Sequence, residues 1–88
     1  MRLTLKEAIE MYGERIINEV MTADVEPTSR VMYDAWENPR HLGLTEWAGS
    51  PVLTVRGTQL TAYYYTNDDD LCDISDDNIE IEEEQTWD

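Results

Sequence analysis

Apolar residues at Leu5, Ala8, Ile9, Tyr12, Ile16 and Val20 recur at helical spacing, with Lys6, Glu10, Glu14 and Arg15 on the opposite side. Thr4 and Glu7 form the pattern T-x-x-E, a capping box that satisfies free backbone N–H groups where a helix begins. Together they predict a helix over about residues 5–22, with Gly13 as a weak point costing about 1 kcal/mol relative to alanine. DVEPTS reads as a linker in which Thr28 or Ser29 caps a second helix. That helix, RVMYDAWEN, sets Met32, Ala35 and Trp36 on one face. Asn38-Pro39 ends it, because a residue before proline disfavours the helical conformation. Residues 40–50 read as an irregular connection with room for one turn of helix at 44–48, and Trp47 as a cover for one end of a sheet.

In PVLTVRGTQLTAYYYT the period changes to two. Gly57-Thr58 suits the two central positions of a type II′ hairpin turn. That turn pairs Val55 with Leu60, Thr54 with Thr61, Leu53 with Ala62 and Val52 with Tyr63. The inner face is then Leu53, Val55, Leu60, Ala62 and Tyr64. The outer, exposed face holds Thr54, Arg56, Thr61, Tyr63 and Tyr65. In NIEIEEE, Ile79 and Ile81 alternate with Glu80, Glu82 and Glu84, the pattern of a half-buried third strand. The expected fold class is α+β: two N-terminal helices packed on one face of a three-stranded antiparallel sheet, in a single domain over residues 1–84. Residues 66–78 form an acidic loop pinned by Leu71 and Ile74, and residues 85–88 a short tail.

Charge sharpens this outline. The chain has 88 residues and a formal net charge of −14. Residues 66–88 hold 11 acids and no lysine or arginine, whereas residues 1–65 hold 9 acids and 6 bases. So negative a chain is repelled by nucleic acid and by anionic membranes, and is drawn to basic proteins. No run of sequence approaches the roughly 20 apolar residues of a membrane span. The single cysteine, Cys72, cannot form an intramolecular disulfide, and its neighbours Asp70 and Asp73 disfavour the thiolate. The expected location is the cytoplasm.

Chemistry finds little to work with. A lone histidine, His41, suits a surface or capping role better than that of a general base. No phosphate loop or nucleophile elbow occurs. One cysteine and one histidine are too few for a structural zinc site. From Asp73 onward, Asp73, Ser75, Asp77 and Glu84 fall at positions 1, 3, 5 and 12 of a calcium loop. Asn78 replaces the turn glycine, Glu80 replaces the apolar eighth residue, and no helical pattern flanks the loop. The chain is therefore expected to be no enzyme, with no cofactor and no dedicated metal.

Alternate side chains on a strand lie about 6.6 Å apart. Glu80, Glu82 and Glu84 then form a spaced row of carboxylates that Asp68, Asp69, Asp70, Asp73, Asp76 and Asp77 extend from the adjoining loop. Small size, one α+β domain, strong acidity and this C-terminal segment resemble the phage- and plasmid-encoded DNA-mimic inhibitors, the anti-CRISPR and antirestriction proteins. The resemblance implies a cytoplasmic inhibitor, in a bacterial host, that binds a basic DNA- or RNA-binding protein or nucleoprotein complex and blocks DNA binding. It implies neither direct nucleic-acid binding nor membrane association, and leaves monomer and homodimer open. The partner-binding residues are the carboxylates above with Glu83, joined by Tyr63 and Tyr65, because tyrosine is enriched at interface hot spots. The competing reading is an acidic adaptor, or an allosteric inhibitor that does not mimic DNA.

Overall fold

The structure is a computed structural model; residues 2–33, 39–54, 56–67, 71 and 74–85 are described. In chain order the elements are β1 (Arg2–Thr4), α1 (Leu5–Tyr12), α2 (Glu14–Met21), β2 (Val25–Val31), β3 (Thr45–Gly49), β4 (Val52–Leu53), β5 (Thr58–Tyr65) and β6 (Ile79–Gln85). Single-turn 3₁₀ helices at Pro39–His41 and Asp76–Asn78 join them. The architecture is α+β, but the antiparallel sheet has six strands where the sequence predicts three. Its order is β1-β6-β5-β3-β2, with β4 also paired to β5. β3 and β4 share one edge of β5, and Ser50-Pro51 interrupts them.

The capping box forms as predicted. Thr4 Oγ1 accepts from the Glu7 N–H, and Glu7 Oε1 accepts from the Thr4 N–H, both at 3.1 Å. The long helix, however, is two helices. Gly13 separates them at φ 90°, ψ 151°, caps α1 by donating to the Ile9 carbonyl at 2.8 Å, and receives the Ile17 N–H at 3.2 Å. Only glycine adopts that backbone readily. Gly13 is thus the corner that folds α2 back onto the sheet. Gly13→Ala meets no atom within 4 Å of the new Cβ, so any loss is conformational. It should lower stability by about 1–3 kcal/mol in urea denaturation. An unchanged midpoint would mean that the corner tolerates an ordinary residue.

The predicted second helix is absent from its described part. Thr28–Val31, and the supposed linker before them, belong to edge strand β2. Pro27 is tolerated there because an edge strand need not donate every N–H. A bulge between Pro27 and Val31, with Ser29 at φ 69°, further blunts that edge. Ala35 and Trp36 lie outside the described residues. The irregular stretch at 40–50 holds β3, and Trp47 in that strand pairs with Tyr64.

The hairpin register differs from the predicted one by three residues: Val52 faces Leu60 and Leu53 faces Gln59. The turn is longer than a two-residue one. Gly57 N–H donates to the Thr54 carbonyl at 3.1 Å, Thr54 N–H donates to the Thr58 carbonyl at 2.8 Å, and Gly57 adopts φ 79°. This is the three-residue hairpin that ends in a left-handed glycine. Leu53 is consequently 65% exposed, and Val52 packs against the core instead.

The third predicted strand is β6, and it lies between β1 and β5. Ile79 and Ile81 pair with Tyr64 and Ala62 and point at the helices. The core joins them to Leu3, Leu5, Ala8, Ile17, Val20 and Leu60. Leu71 and Ile74 pack against it, as expected of the loop's anchors. β6 extends through Gln85, one residue past the predicted domain edge.

Candidate interaction surface

The face of the sheet opposite the helices carries Arg2, Glu80, Glu82, Tyr63, Tyr65 and Glu46. Register brings them together: Arg2 pairs with Glu82, Glu80 with Tyr63, and Tyr65 with Glu46. Arg2 is the centre. Its Nε donates to Glu82 at 2.8 Å, and its Nη1 lies 3.4 Å from Glu80, 3.6 Å from Glu46 and in hydrogen-bond contact with the Tyr65 hydroxyl. Its guanidinium also covers the Tyr63 ring at 4.1 Å, a cation–π contact. Burial alone would lower the Arg2 pKa. The Tyr65 oxygen, Glu82 and Glu46 outweigh it and hold the guanidinium firmly charged.

Glu46 is the buried carboxylate of this face, at 5% exposure. Tyr65 donates to its Oε2 at 3.1 Å, Thr28 to its Oε1 at 3.0 Å, and Arg30 to its Oε2 at 3.4 Å. A carboxylate so deeply buried requires such partners. The 3₁₀ turn Pro39–His41 packs on this face. Met32 and Leu44 are joined by a backbone bond of 3.0 Å, and His41 stacks on Tyr65 with ring centroids 4.0 Å apart. His41 is only 1% exposed, and its Nε2 donates to the Asp77 carbonyl at 3.1 Å. It is therefore no surface residue; it ties the first 3₁₀ turn to the second. Arg40 reinforces that tie by meeting Asp77 Oδ1 at 3.1 Å.

The predicted contact residues are therefore divided. Tyr65 is fully buried, which removes it from any partner surface. Tyr63 is half-buried beneath Arg2. Glu80 and Glu82 lie on the expected face but are held by Arg2, so the carboxylate row is partly neutralised from within. Glu83 lies on the helix face opposite Leu60 and bonds to the Tyr12 hydroxyl. Asp76, Asp77 and Glu84 are exposed. Asp68, Asp69, Asp70 and Asp73 fall outside the described residues. Sequence reasoning missed Arg2, Arg30 and Glu46. Only the alternation of Arg2 and Thr4 about Leu3 hinted at an N-terminal strand.

The calcium-loop spacing does not survive folding. Ser75 caps the second 3₁₀ turn by accepting from the Asp77 N–H at 3.3 Å. Ile79–Gln85 is extended, which carries Glu84 about 17 Å along the strand from Ile79. One ion cannot reach Ser75, Asp77 and Glu84 together. Among the described residues no group of His, Cys, Asp or Glu is arranged to hold a metal ion, and no helix is long and apolar enough to cross a membrane.

Burial raises the Tyr64 pKa. It also raises that of Tyr65, where Glu80 and Glu46 add to the shift and Arg2 opposes it. Both folded values exceed the unfolded value of 10.0, so above that pH the native state binds more protons than the unfolded chain. Their contribution is complete below pH 10 and lost as pH rises further. The urea midpoint should therefore fall above about pH 10. Tyrosinate absorbance from these two residues should appear in step with unfolding. Their ionisation within a folded chain would contradict the packing.

Comparison with protein-family models, with curated proteins and with solved structures found no match to this chain.

Proposed function

We propose that this chain is a non-enzymatic inhibitor that binds a basic, nucleic-acid-binding protein through its acidic surface and excludes nucleic acid from it. The targets to which its resemblance points are CRISPR complexes and restriction nucleases. One observation carries the reading: three of the six cations are ion-paired with the chain's own carboxylates, while further carboxylates stand exposed. Arg2 and Arg30 are bound to Glu46, Glu80 and Glu82, and Arg40 to Asp77. Glu10, Glu14, Glu19, Asp24, Glu26, Asp76 and Glu84 remain exposed. A net charge of −14 on so small a chain steers basic partners toward it.

The adaptor reading draws support from a different observation. The cluster of Arg2 and Arg30 with Glu46, Glu80 and Glu82 nets only −1, so this part of β6 offers less bare charge than an open row of glutamates would. The test is a displacement titration against preformed complexes of labelled DNA with a panel of CRISPR effector and restriction nucleases. Inhibition by mimicry requires that the protein release DNA from at least one of them, less effectively as salt rises. Stable ternary complexes without DNA release would favour the adaptor.

A further inference from the structure

A groove of about 830 Å³ opens between α1, the start of β6 and the two 3₁₀ turns. Leu5, Ile9 and Ile79 supply its apolar lining. Its rim is charged: Glu10, Asp76, Asp77 and Glu80 stand against Lys6 and Arg40, a local net of −2. Three of these charges are already engaged, Asp77 and Arg40 with each other at 3.1 Å and Glu80 with Arg2 at 3.4 Å, which leaves Glu10 and Asp76 against Lys6. The groove thus combines two features: an apolar floor, in which Ile9 is partly exposed beside the nearly buried Leu5 and Ile79, and carboxylates around it, among them the exposed Glu10 and Asp76.

We propose that this groove is the anchor site for the partner, seating one large apolar side chain from a basic segment while rim carboxylates hold the flanking lysines or arginines. The inference rests on the reading of the chain as a binder of basic proteins, and it adds where and how. A volume of this size lies within the range of ligand pockets, ample for an aromatic or aliphatic side chain. The two features have different consequences. Carboxylates speed the encounter and select basic sequences, but exposed pairs are weak and screened by salt. A desolvated apolar anchor sets how long the complex lasts. Charge complementarity identifies the occupant, since an acidic or neutral apolar segment would meet an unfavourable rim.

The test uses the full chain, isotope-labelled at its methyl groups, and two end-capped peptides of equal charge: Lys-Arg-Trp-Arg-Lys and Lys-Arg-Gly-Arg-Lys. The tryptophan peptide should bind at least about tenfold more tightly, the range expected for one buried apolar group. It should perturb the methyl resonances of Leu5, Ile9 and Ile79. Equal affinities, perturbation centred elsewhere, or no binding of either peptide at about 1 mM would overturn the proposal. So would an Ile9→Lys variant that keeps a native spectrum and binds the tryptophan peptide undiminished. Failure here is separable from failure of the proposed function. A chain that seats the peptide yet displaces no DNA keeps its groove and loses the inhibitory role. A chain that displaces DNA without engaging the groove does the reverse.

Discussion

A chain ending at Asn78 should not fold. The truncation removes β6, the strand joining β1 to β5. It deletes Ile79 and Ile81 from the core, and takes from Leu3 its strand partner Ile81. A domain of 88 residues has about 4–13 kcal/mol of stability in total. Ile81→Ala is the graded form of the same experiment. Ile81 is fully buried, so its truncation should cost about 2–5 kcal/mol by loss of transfer energy and creation of a cavity. Leu53→Ala, at a side chain 65% exposed, should cost less than about 0.5 kcal/mol. Urea denaturation followed by circular dichroism reads all three. A truncated chain that melts like the whole one would remove β6 from the core.

The second large effect is expected at Glu46. Glu46→Ala removes the acceptor of the Tyr65 hydroxyl, one acceptor of Thr28 and a carboxylate beside Arg2 and Arg30, and leaves a cavity. Breaking a buried pair costs about 3–5 kcal/mol. Arg2 and Arg30 are partly exposed, at 32% and 45% of their side chains, so water recovers some of that loss. The expected cost is about 2–4 kcal/mol. Glu46→Gln keeps an acceptor for Tyr65 and should cost only about 1–2 kcal/mol. Equal effects of alanine and glutamine would mean that the charge, rather than the hydrogen bonds and volume, holds this face together.

These residues also explain what could be read from the sequence. The capping box and the Ile79–Ile81 alternation were legible because each is local: a few neighbouring residues determine the geometry. The helix side of the sheet followed from them. Gly13 announced itself only as a poor helix former, and its role as a corner depends on where α2 must go to bury Ile17 and Val20. β2 was hidden because an edge strand with proline and serine lacks the usual alternation; its pairing with β3 is what makes it a strand. The hairpin slipped because Gly57 fits either of two turns, and a change of three residues exchanges Val52 for Leu53 at the core. The Arg2 cluster joins residues some 80 positions apart, so no local pattern could reveal it. It also alters the functional surface, since it partly neutralises two of the glutamates that looked most like a charge row.

The exposed acids at either end of β6 are therefore where specificity should reside, and displacement of DNA from a responsive nuclease tests this most directly. Two double variants make the same change in net charge: Asp76→Lys with Glu84→Lys, and Glu14→Lys with Glu19→Lys on α2. All four residues are exposed. The first pair should weaken displacement at least tenfold, about 1.4 kcal/mol, because reversed charges would face the partner's own cations. The second pair should change it by no more than about twofold, the scale of exposed charges outside a contact. Equal losses from both pairs would mean that net charge alone drives binding, and would contradict a shaped acidic surface.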